Sequence, residues 1–401
     1  MNTIYHLVPK EEVRARVRRL QKALRREGVE AALFVQKMDV FYLTGTLQRS
    51  YIFVPAAGEP VHLIKKDVAR GARESGIDRK VAIRSRKEVP GHIRWAYGKL
   101  PRTLGLEADV LPVREWRVWE DLFPGSRLVD ASALLMGLRS VKSPYEIAVM
   151  ARAGKVAREV YEYGRKILRE GMTEIAFAGE MMAKAFALGH EGLLRMRSLN
   201  DESYSWHILS GKSGGIVSYI NAPMGGLGLS PAFPVGASRK PIRAREPIMV
   251  DFGICLRGYQ VDETRMFCIG TMPKRYRDLY RAIIRVQHAI LEATRPGIRG
   301  KDLFEIGLET AEREGISDIY LGPPGNKVSF VGHGIGLEIN DPPFIAKRDE
   351  TPLSEGMTFA LEPKLVLKDE AAIGIEDTVV VTRDGIRRLT PMRQSIYHAA
   401  G

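Results

Sequence analysis

Apolar positions recur at two spacings along the chain, and the switch from one to the other marks out its elements. In residues 11–27, Val13, Val17, Leu20 and Leu24 share one face, basic side chains cover the other, and Gly28 follows. This predicts an amphipathic helix. Short apolar runs then predict strands at 31–35, 41–43, 50–54 and 60–64, a helix at 66–74, a strand at 80–84, a helix near 91–100 and a strand at 103–106. The alternation predicts an α/β domain over residues 1–135. It carries no phosphate loop and no glycine fingerprint, so it reads as an interaction and substrate-shaping domain.

A boundary follows at residues 138–144. Ser143, Pro144 and Glu146 form a capping box with proline in the first turn, so a long helix starts there and runs to about residue 170. Gly154 falls on its apolar face and admits a close neighbour. A helix follows at 175–188, between Gly171 and Gly189. The same unit recurs at about 276–294 and 302–314, with Gly297 and Gly315 each 126 residues after their counterparts. This predicts a pseudo-twofold α+β domain over residues 136–401, its strands meeting in the middle.

Composition narrows the setting. With 401 residues the chain has room for two domains and a sizeable core. No apolar run reaches the roughly 18 residues of a membrane span, and residues 1–6 lack the pattern of a secretory signal. Only Cys255 and Cys268 occur, and two buried reduced thiols are the expectation, which points to the cytoplasm. The net charge of +13 is spread over helices where acids interleave with bases, and no nucleic-acid motif accompanies it. A solvated arginine-rich surface is expected, with no nucleic-acid partner.

Chemistry concentrates where apolar strands end in acids. Asp251 and Asp262 flank a hairpin turning at Gly258, and a buried carboxylate pair needs a cation between its members. Three further stretches are of the same kind: His333 between Gly332 and Gly334, Glu362 after Phe359-Ala360-Leu361, and Glu376 before Thr378-Val379-Val380-Val381. Four carboxylates and one imidazole make an oxygen-rich set suited to Mn, Co, Fe or Zn.

These segments resemble the ligand signature of the metallopeptidase family that contains prolidase, aminopeptidase P and methionine aminopeptidase. The matching residues are Asp251-Phe252-Gly253, Gly258-Tyr259, Asp262-Glu263-Thr264-Arg265, Gly332-His333-Gly334-Ile335-Gly336-Leu337, Glu362-Pro363 and Glu376-Asp377-Thr378. Residues 1–135 and the boundary are similar to the prolidase, aminopeptidase P and creatinase branch. The resemblance implies a pita-bread catalytic domain behind a creatinase-like N-terminal domain. It implies two divalent ions on Asp251, Asp262, His333, Glu362 and Glu376, and a bridging hydroxide that attacks Xaa-Pro bonds. It gives Glu362 as the proton-handling ligand, Thr264 as a support for Asp262, and Tyr259 and Asn340 as substrate contacts. Small peptides with proline second would be the substrates, and a homodimer the assembly.

The pattern departs around this cage. Asn340 stands where the prolidase branch has a histidine, and Gly374 where it has an arginine. Another family histidine, shortly before the first Asp, is missing, and His207 is the candidate to replace it in space. An enzyme of the same fold with non-peptide chemistry, resembling dimethylsulfoniopropionate lyase, is the rival reading. A non-catalytic binding protein is a further one, opposed by the complete ligand set.

Overall fold

The structure is a computed structural model and describes residues 6–198 and 207–400. Ser205 and Trp206, which precede His207, and most of the segment read for a secretory signal lie outside the described residues. The chain separates into two compact units: one runs to Arg139 and takes in Arg197 and Ser198, and the other holds Ser140–Met196 and the chain from His207 onward.

The first unit is an α/β layer on a six-stranded sheet. Its strands are β1 (Ala31–Phe34), β2 (Ser50–Pro55), β3 (Val61–Ile64), β4 (Arg79–Ala82), β5 (Thr103–Leu106) and β6 (Arg127–Asp130), in the order β4-β3-β2-β1-β5-β6. Leu33, Phe53, Leu63, Leu104, Trp119 and Phe123 form its core. Residues 41–43, expected as a strand, belong instead to helix Lys37–Thr44. The Gln36 side chain caps the Met38 and Asp39 N–H groups, and Gly45 ends the helix at φ 85°. Local capping thus overrides the apolar run. Asp39 on this helix is buried, with Arg139 at 2.6 Å and Arg197 at 2.8 Å. Helices Val113–Leu122 and Ser132–Ser140 and strand β6 were not among the expected elements.

The second unit contains the repeat. Its first helix pair is Pro144–Ile167, opened by the Ser143/Glu146 capping box, and Glu174–Ala187. The second pair is Lys274–Ala293 and Gly300–Arg313. Gly171, Gly189, Gly297 and Gly315 all sit at positive φ, so the echo is one of backbone geometry. A Cβ on Gly154 would lie 2.0 Å from the Leu389 carbonyl oxygen, so the long helix packs directly on backbone there.

Each half then supplies a sheet. The first is built from β7 (His207–Ser210), β8 (Ile248–Asp251), β11 (Thr264–Ile269) and β19 (Tyr397–Ala399), in the order β19-β11-β8-β7. The second is built from β12 (Phe330–Gly334), β13 (Asp341–Ala346), β14 (Thr358–Leu361), β17 (Asp377–Thr382) and β18 (Gly385–Arg388), in the order β13-β12-β14-β17-β18. Between β8 and β11 the chain makes a two-stranded ribbon, β9 (Ile254–Leu256) with β10 (Tyr259–Val261). Between β14 and β17 it makes another, β15 (Lys364–Leu367) with β16 (Ala371–Gly374). Cys255 and Cys268 are free and buried. No helix among the described residues is long and apolar enough to cross a membrane.

Candidate metal centre

Both halves carry their acids at the same two places: where the chain leaves a sheet strand for a ribbon, and where it returns. Asp251 ends β8 and Asp262 precedes β11; Glu362 follows β14 and Glu376 precedes β17. The backbone at these points is held from the helices. The Tyr161 hydroxyl donates to the Glu263 carbonyl at 2.5 Å and lies 3.2 Å from the Val250 carbonyl, just before Asp251. Gln287, 126 residues after Tyr161, donates from Nε2 to the Leu361 carbonyl at 3.4 Å, just before Glu362.

The threonines two residues past the returning acids cross between the halves. Thr264 Oγ1 donates to Glu376 Oε2 at 2.8 Å, so it supports Glu376 and not Asp262 as expected. Thr378 Oγ1 accepts the Asp262 N–H and donates to the Asp262 carbonyl, both at 2.9 Å. Arg265, fully buried, locks the seam: it binds the Glu376 carbonyl at 2.6 Å and Asp377 Oδ1 at 2.5 Å.

The five expected ligands meet in this place. Ligand atoms of Asp262, His333 and Glu376 lie within 4.8 Å of one another, a spacing that one cation can draw together. His333 Nε2 is 3.4 Å from Glu362 Oε1 and 4.0 Å from Glu376 Oε1, and the latter oxygen is buried without a hydrogen-bond partner among the described residues. A buried carboxylate oxygen beside an imidazole nitrogen and another acid is what a divalent ion satisfies. The residues at this pole therefore fit a metal.

Asp251 is engaged differently. Its Oδ2 lies 2.8 Å from Lys364 Nζ and 3.7 Å from His207 Nδ1. His207 stands directly opposite Asp251 in the β7–β8 pairing and precedes His333 by the repeat offset of 126 residues. The strand pairing thus brings a histidine to the first Asp although none lies shortly before it in sequence. His207 Nε2 is buried with no partner among the described residues.

Tyr259, expected at the substrate, is buried instead, and its hydroxyl donates to Glu146 Oε1 at 2.9 Å. Its position on a short ribbon strand sets its hydroxyl against the long helix that carries Glu146. Asn340 is half-buried in the connection from β12 to β13, on the same hairpin as His333. Lys364 is the site residue that sequence reasoning missed. It follows Glu362-Pro363 and begins a ribbon strand, where a lysine ordinarily reads as solvated; only the pairing of β15 with β16 shows it buried.

The protein's own charges divide the acids. Burial alone would raise the Asp251 carboxyl, but Lys364 and then His207 hold it well below the usual range. Burial, then Glu376 and Asp251, push Asp262 well above it. Burial also pushes Glu376 up to about 8, with Asp251 and Glu362 adding and Lys364 opposing. Burial would lower the Lys364 ammonium, yet Asp251, Glu362 and Glu376 raise it well above the ordinary lysine value. Asp262 and Glu376 are thus the acids left in want of positive charge.

Residues 148–383 match metallopeptidase family M24, and residues 16–141 match the creatinase/prolidase N-terminal domain. A putative dipeptidase (YkvY) of Bacillus subtilis is 27% identical over 384 residues, covering 94% of this chain and 97% of that protein. An Xaa-Pro dipeptidase of Pyrococcus furiosus is 25% identical over 390 residues, 96% of this chain and 100% of the relative. Among solved structures, an Xaa-Pro dipeptidase from Bacillus anthracis superposes with a TM-score of 0.82 at 20% identity, over 96% of this chain and 99% of that one. The shared architecture is the pita-bread domain behind a creatinase-type domain. With the family match covering more than half of its length, the chain belongs to metallopeptidase family M24.

Proposed function

We propose that the chain is a divalent-metal-dependent peptidase that cleaves Xaa-Pro bonds in small peptides. The observation that carries the reading is the approach of Asp262, His333 and Glu376 to within 4.8 Å, with Glu362 beside His333. The relatives named as Xaa-Pro dipeptidases support the substrate class. A divalent ion at this pole would polarise the scissile carbonyl and lower the pKa of the attacking water. Asp262, His333 and Glu376 would hold it, with Glu362 at its side. Glu362 takes the proton of the attacking water and returns it to the leaving imino nitrogen. His207 would donate a hydrogen bond to substrate, a reading supported by its buried Nε2 having no partner among the described residues. Asn340 would contact substrate as a neutral donor and acceptor, without a titration near neutrality. A homodimer belongs to the same reading, and sedimentation in solution tests it.

The decisive assay is release of alanine from Ala-Pro and Ala-Pro-Ala by protein loaded with Mn²⁺ or Co²⁺. Release establishes the peptidase and its preferred length. Bound metal with no cleavage of either peptide hands the site to the rival, non-peptide chemistry on the same fold.

A further inference from the structure

Lys364 places a permanent cation among the metal ligands. Its side chain is 2% exposed. Its ammonium lies 2.8 Å from Asp251 Oδ2, 2.5 Å from Glu362 Oε2 and 3.5 Å from Glu376 Oε2. An ammonium has three N–H donors, and here three carboxylates from separate strand ends converge on it. These are three of the five ligands expected to share two ions. Asp251 has its Oδ2 close to both Lys364 and His207.

The ribbon is built to admit this side chain. Lys364 and Gly374 face each other across the β15–β16 pair. A Cβ at residue 374 would stand 2.7 Å from Lys364 Cγ, so the lysine stem passes over a glycine that nothing larger can replace without moving it. Residue 374 is the position where the resemblance led one to expect an arginine. A positive charge is carried instead by its cross-strand partner, Lys364, in contact with the acids.

We infer that the Lys364 ammonium takes the place of the second metal ion, so that each chain binds one divalent ion, at the Asp262–His333–Glu376 pole. This rests on reading those residues as metal ligands, and it departs from the two ions the resemblance implies. A second divalent ion on Asp251 would have to share carboxylates with an ammonium already in contact with them, against direct like-charge repulsion. The lysine instead neutralises Asp251 and anchors Glu362 from the side away from His333, leaving Glu362 Oε1 turned toward the imidazole.

The test is a count of ions. Full-length protein, stripped with chelator and titrated with Co²⁺, is followed by the visible absorption of the bound ion. Metal per chain is then measured after gel filtration. The expected result is saturation at one Co²⁺ per chain. Lys364→Met, which keeps the stem and removes the charge, is expected to take up a second equivalent. Asp251→Asn is expected to retain one, because Asp251 serves the lysine and not the ion. Two ions in the unaltered chain, no ion at all, or loss of the ion in Asp251→Asn overturns the inference. Should Lys364→Met fail to fold, the count for the unaltered chain and for Asp251→Asn still decides. Peptide cleavage is scored separately. A chain with one ion and no Xaa-Pro cleavage leaves this inference standing and removes the proposed substrate; a cleaving enzyme with two ions does the reverse.

Discussion

The two halves of the second unit share a plan and differ in what balances their acids. Tyr161 and Gln287 hold the carbonyls just before Asp251 and Glu362. Thr264 and Thr378 each reach across to the other half's returning acid. His207 and His333 lie on corresponding strands, but His207 stands opposite Asp251 itself and His333 opposite Ala360, two residues before Glu362. Yet His333 stands beside Glu362 and Glu376, whereas His207 shares Asp251 with Lys364, whose ammonium also reaches Glu362 and Glu376 from the other side. The repeat supplies two corresponding pairs of strand-end acids, and one buried ammonium contacts Asp251 of the first pair and both acids of the second. On the one-ion reading inferred above, a single side chain, Lys364, is what would separate an ion-binding pole from a closed one.

Removing a ligand at the open pole is expected to have the largest effect. Asp262→Ala should abolish metal binding and lower kcat/KM by more than about 1,000-fold, since the ion supplies several kcal/mol of transition-state charge stabilisation. Metal retained in Asp262→Ala would break the division into poles. Next in size is the seam. Arg265→Met leaves the Glu376 carbonyl without this donor and Asp377 with the more distant Arg388 at 3.5 Å, and removing one partner of a buried pair costs up to about 3–5 kcal/mol. Urea unfolding should show that loss even in metal-free protein, because the seam joins the halves through their backbones. Smaller again is Gly374→Ala. The new methyl meets Lys364 Cγ at 2.7 Å, and overpacking of this kind costs about 1–3 kcal/mol. It should also loosen the hold on Asp251, seen as an altered metal count; an unchanged count and melt would mean that the ribbon gives way without moving the lysine.

The candidate ligands stood out because the four acids flank apolar runs and His333 lies between glycines, and a buried-looking acid demands an explanation from sequence alone. The helix starts were legible through caps such as Ser143/Glu146, and the repeat through glycines that need positive φ. Beyond the unexpected helices Val113–Leu122 and Ser132–Ser140 and strand β6, three further things were not. The helix at Lys37–Thr44 hides behind an apolar run because its cap is a glutamine side chain, which sequence rules weigh little. Tyr259 matched a motif, but the motif records packing on Glu146 as readily as contact with substrate. Lys364 was invisible because its burial is set by what lies across the ribbon, and Gly374 read as a missing arginine and not as space for a lysine.

The finest test compares the two threonines. Each is fully buried and each crosses the seam, but they hold different things. Thr264 donates to a carboxylate oxygen of Glu376 itself, fixing which oxygen faces His333. Thr378 holds only the backbone of Asp262, accepting its N–H and donating to its carbonyl. Supports that orient a ligand typically cost about 10–100-fold in metal affinity when removed. An ordinary hydrogen bond costs about 0.5–1.5 kcal/mol of stability. Thr264→Val should therefore weaken Co²⁺ binding by about 10–100-fold with little change in the melt of the metal-free chain. Thr378→Val should do the opposite, lowering metal-free stability by about 1–2 kcal/mol while affinity falls less than tenfold. If the two variants behave alike in both measurements, the seam acts as one rigid block. The two poles would then owe their difference to Lys364 alone, with no share for the threonines that cross beneath them.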